Sequence, residues 1–420
     1  VRLLLSKGFP IEYFIEGGRS RTGIMLSPRP GMINMTINAF YTDPERDIHF
    51  IPVYFSYERL LEVDSYLEEL SGQPKKTESL LDIVRVLRRL KLKFGQVAVN
   101  FGHPISLKDF LGSEEALSLP LNTKNTQHQL VDNLGLHLAH RINGSIAVNP
   151  TQLFATVLLG AETCEIDKPR VLILIRLLEQ ILRADHFSAG FQRTDADLLE
   201  HVIATTSTAD AALEGRVVFD DPDQAARLAY YRNSILHLTM GPALVANFLL
   251  QKPETSPTEI AANIETIAPL ICADLRTDFS TSVTEVQLIL SAFSDFGLID
   301  QEPDRAPLII DQTALKIIAR SALPLIYRHA IALCLSQANS TITSASIEHV
   351  DLSGGGLSAI LSTPPLLATE AQLLAPVSDN LIAQLKILQA QPSEKQALCA
   401  AASVCPRLAR KRPETTGYQL

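Results

Sequence analysis

Cysteine is scarce and unpatterned in this 420-residue chain: Cys164, Cys272, Cys334, Cys399 and Cys405 are odd in number, scattered, and show no C-x-x-C spacing. That pattern argues against a disulfide scaffold and against a zinc site, and it fits a reducing compartment. His137 and His140 stand three apart, but no cysteine or acid joins them at ligand spacing, so no metal is expected. Long apolar runs are also missing. The nearest is SILHLTMGPALVANFLL (234–250), seventeen residues without Asp, Glu, Lys or Arg, broken by Gly241-Pro242. It is short for a hydrocarbon core, so a buried or interfacial helix is the reading. No signal peptide and no internal repeat are visible.

What is present is the composition of a folded protein, 46% hydrophobic and 20% charged, with a mean hydropathy of +0.13. Its length suggests two or three domains. The net charge of −9 is unevenly spread. Residues 1–112 hold 15 Lys and Arg against 13 Asp and Glu, and the remainder holds 22 against 33. The acidic remainder argues against a nucleic-acid partner, whose affinity rests on phosphate neutralisation. The mildly basic first part suits phosphorylated metabolites or an anionic membrane.

Periodicity divides the chain into three. Residues 1–118 read as α/β: a strand at IEYFIE (11–16), a short helix around Met32–Tyr41, an apolar run HFIPVYFSY (49–57) confined to a bulge, edge or strand end by Pro52, an amphipathic helix at 78–94, and a third strand, QVAVNF (96–101). Strands alternating with helices predict a mostly parallel sheet covered by helices. Residues 119–338 read as helical, with segments at 128–143, 151–160, 170–186, 195–205, 224–251, 258–275 and 283–297. Residues 339–420, with SGGGLS, TPP and Tyr418 as the sole aromatic after Tyr327, read as a divergent, loosely ordered tail. The chain opens with Val1 inside a helix-like VRLLLSKG, which reads as an element cut part-way.

The sharpest chemistry lies in IEYFIEGGRSRTG (11–23). Gly17 and Gly18 open backbone conformations in which main-chain N–H groups approach an anion. Arg19 and Arg21 add planar forks suited to phosphate oxygens, with Ser20 between them. A glycine turn carrying two solvated arginines is the plain alternative.

At FIEGGRSRTG the chain resembles the bacterial membrane-bound glycerol-3-phosphate acyltransferases. IPVYFSYE (51–58), VNFGHPISL (99–107) and YYRNSILH (230–237) resemble further blocks of that family. The resemblance covers roughly residues 1–338. It implies a partial α/β acyltransferase domain followed by an α-helical domain, and no cofactor. The implied partners are glycerol 3-phosphate, an acyl-CoA or acyl carrier protein thioester, and a membrane phospholipid surface, with the protein peripheral to the cytoplasmic side of the inner membrane. In that family a His followed by an Asp five positions later acts as an oriented general base. None of the ten histidines here has an Asp at that position: His49 is followed there by Tyr54, His103 by Lys108, His128 by Asn133 and His237 by Pro242. The pair is expected upstream of Val1, and the chain alone is expected not to turn over. A degenerate relative, serving as a phosphate- or lipid-binding module without chemistry, is the alternative.

Carried onto this sequence, the acceptor-binding residues are Glu16, Gly17, Gly18, Arg19, Ser20, Arg21, Pro52 and Tyr54. Arg19 is the first choice for the phosphate. Glu16 is expected to help set the site by orienting Arg19; Pro52 and Tyr54 either shape the pocket or belong to the core. The helix at 78–94 presents Arg85, Arg88, Arg89, Lys91 and Lys93, either to solvent or to anionic headgroups. Asn233 and His237 share a helical face with the Tyr230–Arg232 stretch beside it. This reads as a polar network locking the second region onto the first, or as substrate-facing.

Overall fold

The computed structural model describes residues 1–60, 95–112, 124–161, 165–182, 189–206, 215–219, 222–277, 279, 281–301, 307–322 and 325. The helix expected at 78–94 and the tail expected at 339–420 lie outside the described residues.

The first region begins with helix α1 (Arg2–Ser6), an irregular segment through residue 29, and helix α2 (Pro30–Thr42). Pro30 suits the first turn of α2 because it sacrifices an N–H that would have no helical partner there. Strands β1 (His49–Phe50), β2 (Val53–Tyr57), β3 (Val97–Phe101) and β4 (Ile105–Ser106) follow, then helix α3 (Leu107–Leu111). Pro52 divides the predicted run 49–57 into β1 and β2 and stands just before β2, as its missing donor requires.

Pairing among the described strands is antiparallel and two by two. β2 runs against β3 in the register Val53 to Phe101 through Tyr57 to Val97, and β1 pairs with β4. Residues 11–16, expected as a strand, have no regular structure. Gly17 N–H closes a turn on the Phe14 carbonyl at 3.0 Å, and the Ile15 carbonyl accepts from Arg29 N–H at 2.8 Å. Of Tyr13, Phe14 and Ile15, Ile15 is buried, Tyr13 packs against the same core and Phe14 is 76% exposed, so the run is not a continuous buried edge.

Helix α4 (Lys124–Asn143) packs on α2. Together with α3 they enclose a small core of Ile15, Ile33, Ile37, Phe40, Leu107 and Leu134. Although α4 follows the boundary expected at 118, its apolar face is shared with the first region.

The larger core is helical. Helix α5 (Pro150–Gly160) is its axis: Leu153, Phe154, Val157 and Leu158 are completely buried. Each contributes about 1.5–3 kcal/mol by leaving water. Around it stand α6 (Lys168–Leu182), α7 (Asp195–Thr206), α8 (Pro222–Ser234), α9 (Leu236–Gln251), α10 (Pro257–Leu275), α11 (Val283–Asp295) and α12 (Gln312–Ala319). The two-stranded pairs β5 (Glu165–Asp167) with β6 (Arg216–Val218) and β7 (Ile299–Asp300) with β8 (Leu308–Ile309) fill the edges. Capping boxes start α5 (Asn149, Gln152), α10 (Ser256, Glu259) and α11 (Ser282, Glu285).

The predicted single helix 224–251 is two, bent by 87° at Ile235. Ser234 Oγ donates to the Tyr231 carbonyl at 2.6 Å and accepts from Gln152 Nε2 at 2.8 Å, drawing α8 onto the start of α5. The bend sends α9 through the core, where Thr239 through Leu249 are all buried, and leaves the end of α8 facing the first region. Among the described residues no single helix is long and apolar enough to cross a membrane, although this bent pair passes by length and composition together.

Candidate functional site

The loop after Ile15 opens onto a cleft of about 1980 Å³. Six of the eight expected residues line it: Glu16, Gly18, Arg19, Ser20, Pro52 and Tyr54. Gly17 and Arg21 do not. Gly17 sits at φ +63°, a left-handed conformation that costs glycine little, and it turns the chain so that Gly18 and Arg19 reach the cleft. Arg21 Nη1 folds back to donate to the Arg19 carbonyl, bracing the loop. Ser20 Oγ donates to the Ile24 carbonyl at 2.6 Å, so this hydroxyl closes the loop on itself.

Glu16 is half-buried and accepts from Leu26 N–H at 2.7 Å. Burial raises its pKa, opposed by that hydrogen bond and by the positive charge of Arg276. Arg276, a residue with no marker in the local sequence, is thus a cation that steadies Glu16. Burial also raises the Tyr54 phenol, and the negative charge of Glu16 raises it further, which sets these two side chains in one electrostatic neighbourhood. Opposite them, β2 and β3 turn Phe55, Tyr57, Val97, Val99 and Phe101 toward the cleft, giving it an apolar wall. The lining of the cleft thus combines an arginine and a bent backbone with apolar side chains.

The loop is held from behind by the helical region. Gly23 sits at φ +84°, and a Cβ there would stand 2.1 Å from the Tyr230 carbonyl oxygen, so the loop lies directly on the end of α8. Asn233 Nδ2 donates to the Thr22 carbonyl at 2.8 Å. Arg232 is buried and donates through Nε and Nη2 to Asn233 Oδ1 at 3.1 and 2.6 Å. Burial draws its pKa down to about 9, still charged at neutral pH. Tyr231 Oη accepts from Leu60 N–H at 3.0 Å, tying the exit of β2 to the same helix. His237 Nε2 lies 3.3 Å from the Asn143 carbonyl, and burial lowers the imidazole to about 4, so it is neutral and donates there.

Arg276 completes the brace. It caps α10 in the left-handed region at φ 50°, unusual for a side chain of this size, and is buried. Its Nη1 donates to the Met25 carbonyl at 2.6 Å and its Nη2 to Ser27 Oγ at 2.7 Å. Asn143 Nδ2 fixes the turn by donating to the carbonyls of Leu275 and Arg276 at 2.8 and 2.9 Å. Among the described residues no group of three His, Cys, Asp or Glu is placed to hold a metal ion.

A glycine loop carrying an arginine lines this cleft, braced by a helical region and facing an antiparallel strand pair on a helix-rich scaffold. The family model described as "Glycerol-3-phosphate acyltransferase C-terminal region" matches residues 66–352. The chain is 36% identical over 363 residues to the glycerol-3-phosphate acyltransferase of Ectopseudomonas mendocina (strain ymp), covering 82% of this chain and 44% of that protein. It is 35% identical over 363 residues to that of Pseudomonas putida (strain GB-1), at the same coverage. Against that of Pseudomonas aeruginosa (strain UCBPP-PA14) it is 35% identical over 366 residues, covering 83% and 44%. The chain belongs to the glycerol-3-phosphate acyltransferase family, and it spans about 44% of the length of these relatives.

Proposed function

We propose that this chain forms the acceptor-binding part of a glycerol-3-phosphate 1-O-acyltransferase, the first acylation of phospholipid biosynthesis. The observation that carries the reading is Arg19, delivered by the Gly17 turn into the cleft beside Glu16 and Tyr54. The phosphate of glycerol 3-phosphate pairs with that guanidinium and the adjoining backbone. The acceptor hydroxyl oxygen then attacks the carbonyl carbon of an acyl-CoA or acyl carrier protein thioester. The C–O bond forms, the C–S bond breaks, the hydroxyl proton passes to a general base, and the thiol departs. The family's His-Asp pair would be that base, and it is absent from these 420 residues.

Residues 1–118 belong on this reading to part of an α/β acyltransferase domain with a mostly parallel sheet covered by helices. Residues 119–338 are the helical domain that braces it. The protein lies peripherally on the cytoplasmic side of the inner membrane. Exposed Leu3, Phe9, Phe14 and Phe101 at the rim of the cleft support contact with a bilayer.

The absence of the His-Asp pair favours a second reading, an anion-binding module without chemistry. One experiment separates them. The chain is joined in frame to the preceding portion of the Ectopseudomonas mendocina relative and assayed for acyl transfer to glycerol 3-phosphate. Turnover with a KM raised about tenfold or more by Arg19→Ala supports the enzyme. A folded chimera that binds glycerol 3-phosphate without acylating it supports the module.

A further inference from the structure

Two contacts converge on residues 22 and 23 from a helix more than two hundred positions away, and a third, within that helix, steadies one of them. Gly23 rests on the Tyr230 carbonyl, Asn233 Nδ2 donates to the Thr22 carbonyl at 2.8 Å, and Arg232 Nη2 donates to Asn233 Oδ1 at 2.6 Å. The buried Arg232 guanidinium orients the carboxamide: with Oδ1 engaged, the Nδ2 donor must point at the loop. The far end of that loop is the Gly18–Arg19 stretch lining the cleft. The span from Thr22 back to Arg19 is tied internally by Arg21 on the Arg19 carbonyl and by Ser20 on the Ile24 carbonyl. A displacement at Thr22 is therefore passed to Arg19 instead of being absorbed between them.

We propose that Asn233 is a positioning residue for acceptor binding, holding the loop through the Thr22 carbonyl so that Arg19 meets the phosphate. The inference rests on the reading of Arg19 as the phosphate-binding group. It assigns to the helical region a direct part in acceptor affinity, beyond packing.

Asn233→Asp tests it in the 420-residue chain. Aspartate keeps an oxygen acceptor for Arg232 and adds an opposite charge to that buried cation, so the α8 side of the contact survives. It replaces the donor facing Thr22 with an oxygen that repels the carbonyl. Titration with glycerol 3-phosphate is expected to show saturable binding by the wild type and affinity weaker by about tenfold or more in Asn233→Asp. Amide hydrogen exchange on the same samples is expected to show lost protection confined to residues 17–27.

Wild-type binding with unchanged affinity in Asn233→Asp overturns the inference and leaves the phosphate site standing. Loss of protection spread through α5 and α9 also overturns it, because Asn233 would then serve the fold alone. Failure of the wild type to bind overturns the phosphate site and the inference with it.

Discussion

Gly23 is where the loop and the helical region come closest, and it is a position where only glycine fits. Its φ of +84° disfavours any Cβ, and the space a Cβ would occupy is taken by the Tyr230 carbonyl. Gly23→Ala is expected to destabilise the chain by about 2 kcal/mol or more, combining backbone strain with displacement of the loop from α8. Denaturant unfolding measures it. A second single-residue effect concerns pH. His237 is neutral in the fold, with its pKa brought from 6.5 to about 4, whereas the unfolded chain protonates near the ordinary value. Between those limits the unfolded state binds more protons, so stability rises with pH and is lost as pH falls from about 6.5 to about 4. The loss from this group is on the order of 3 kcal/mol. His237→Gln, which cannot take up the proton, is expected to flatten stability against pH in that window; an unchanged slope would remove His237 from the account.

At the scale of elements, the helices were legible because their apolar positions repeat every three or four residues, and α4 through α11 fall where that period placed them. The bend at Ile235 was not, since it depends on Ser234 engaging Gln152 from another helix. The strand expected at 11–16 rested on Tyr13, Phe14 and Ile15, of which Ile15 is buried in the small core, Tyr13 packs against it and Phe14 is exposed. In the site, the glycine loop and Arg19 were readable as a local motif. Arg276 was not, because its bonds to Met25 and Ser27 join positions about 250 residues apart and its left-handed cap sits where glycine is the usual choice. The polar residues at 230–237 were visible as a group, but the face expected to be shared by Asn233 and His237 is divided by the bend at Ile235, and neither the Thr22 carbonyl nor the Asn143 carbonyl was legible as their partner.

Elements are also joined by Glu58, just past β2. It is buried, accepts from Gln96 N–H at 2.7 Å, bonds His201 Nε2 of α7 at 2.8 Å, and faces Arg193 Nη1 at 3.8 Å. Glu58→Ala removes the acceptor and leaves the Gln96 amide and two basic groups without it. A loss of about 3 kcal/mol is expected in equilibrium unfolding, with the β2–β3 pair loosening first by hydrogen exchange.

For the whole molecule, the two cores are not independent supports. The larger helical core fixes α8 and the end of α10, and these in turn shape a loop that itself buries Ile15 and packs Tyr13, Ile24 and Met25 against the two cores. The charge distribution follows the same division. The acidic bulk lies in the helical part, and the slightly basic first 112 residues carry the anion loop. With Arg19 holding the phosphate as proposed, on a protein of net charge −9, affinity for glycerol 3-phosphate should fall as salt rises. The direct measurement is calorimetric titration of the 420-residue chain and its Arg19→Ala variant with glycerol 3-phosphate, with glycerol as the uncharged control. Saturable binding of glycerol 3-phosphate but not glycerol, weakened about tenfold or more by Arg19→Ala, is the result the account predicts. Equal affinity in the two proteins would contradict it.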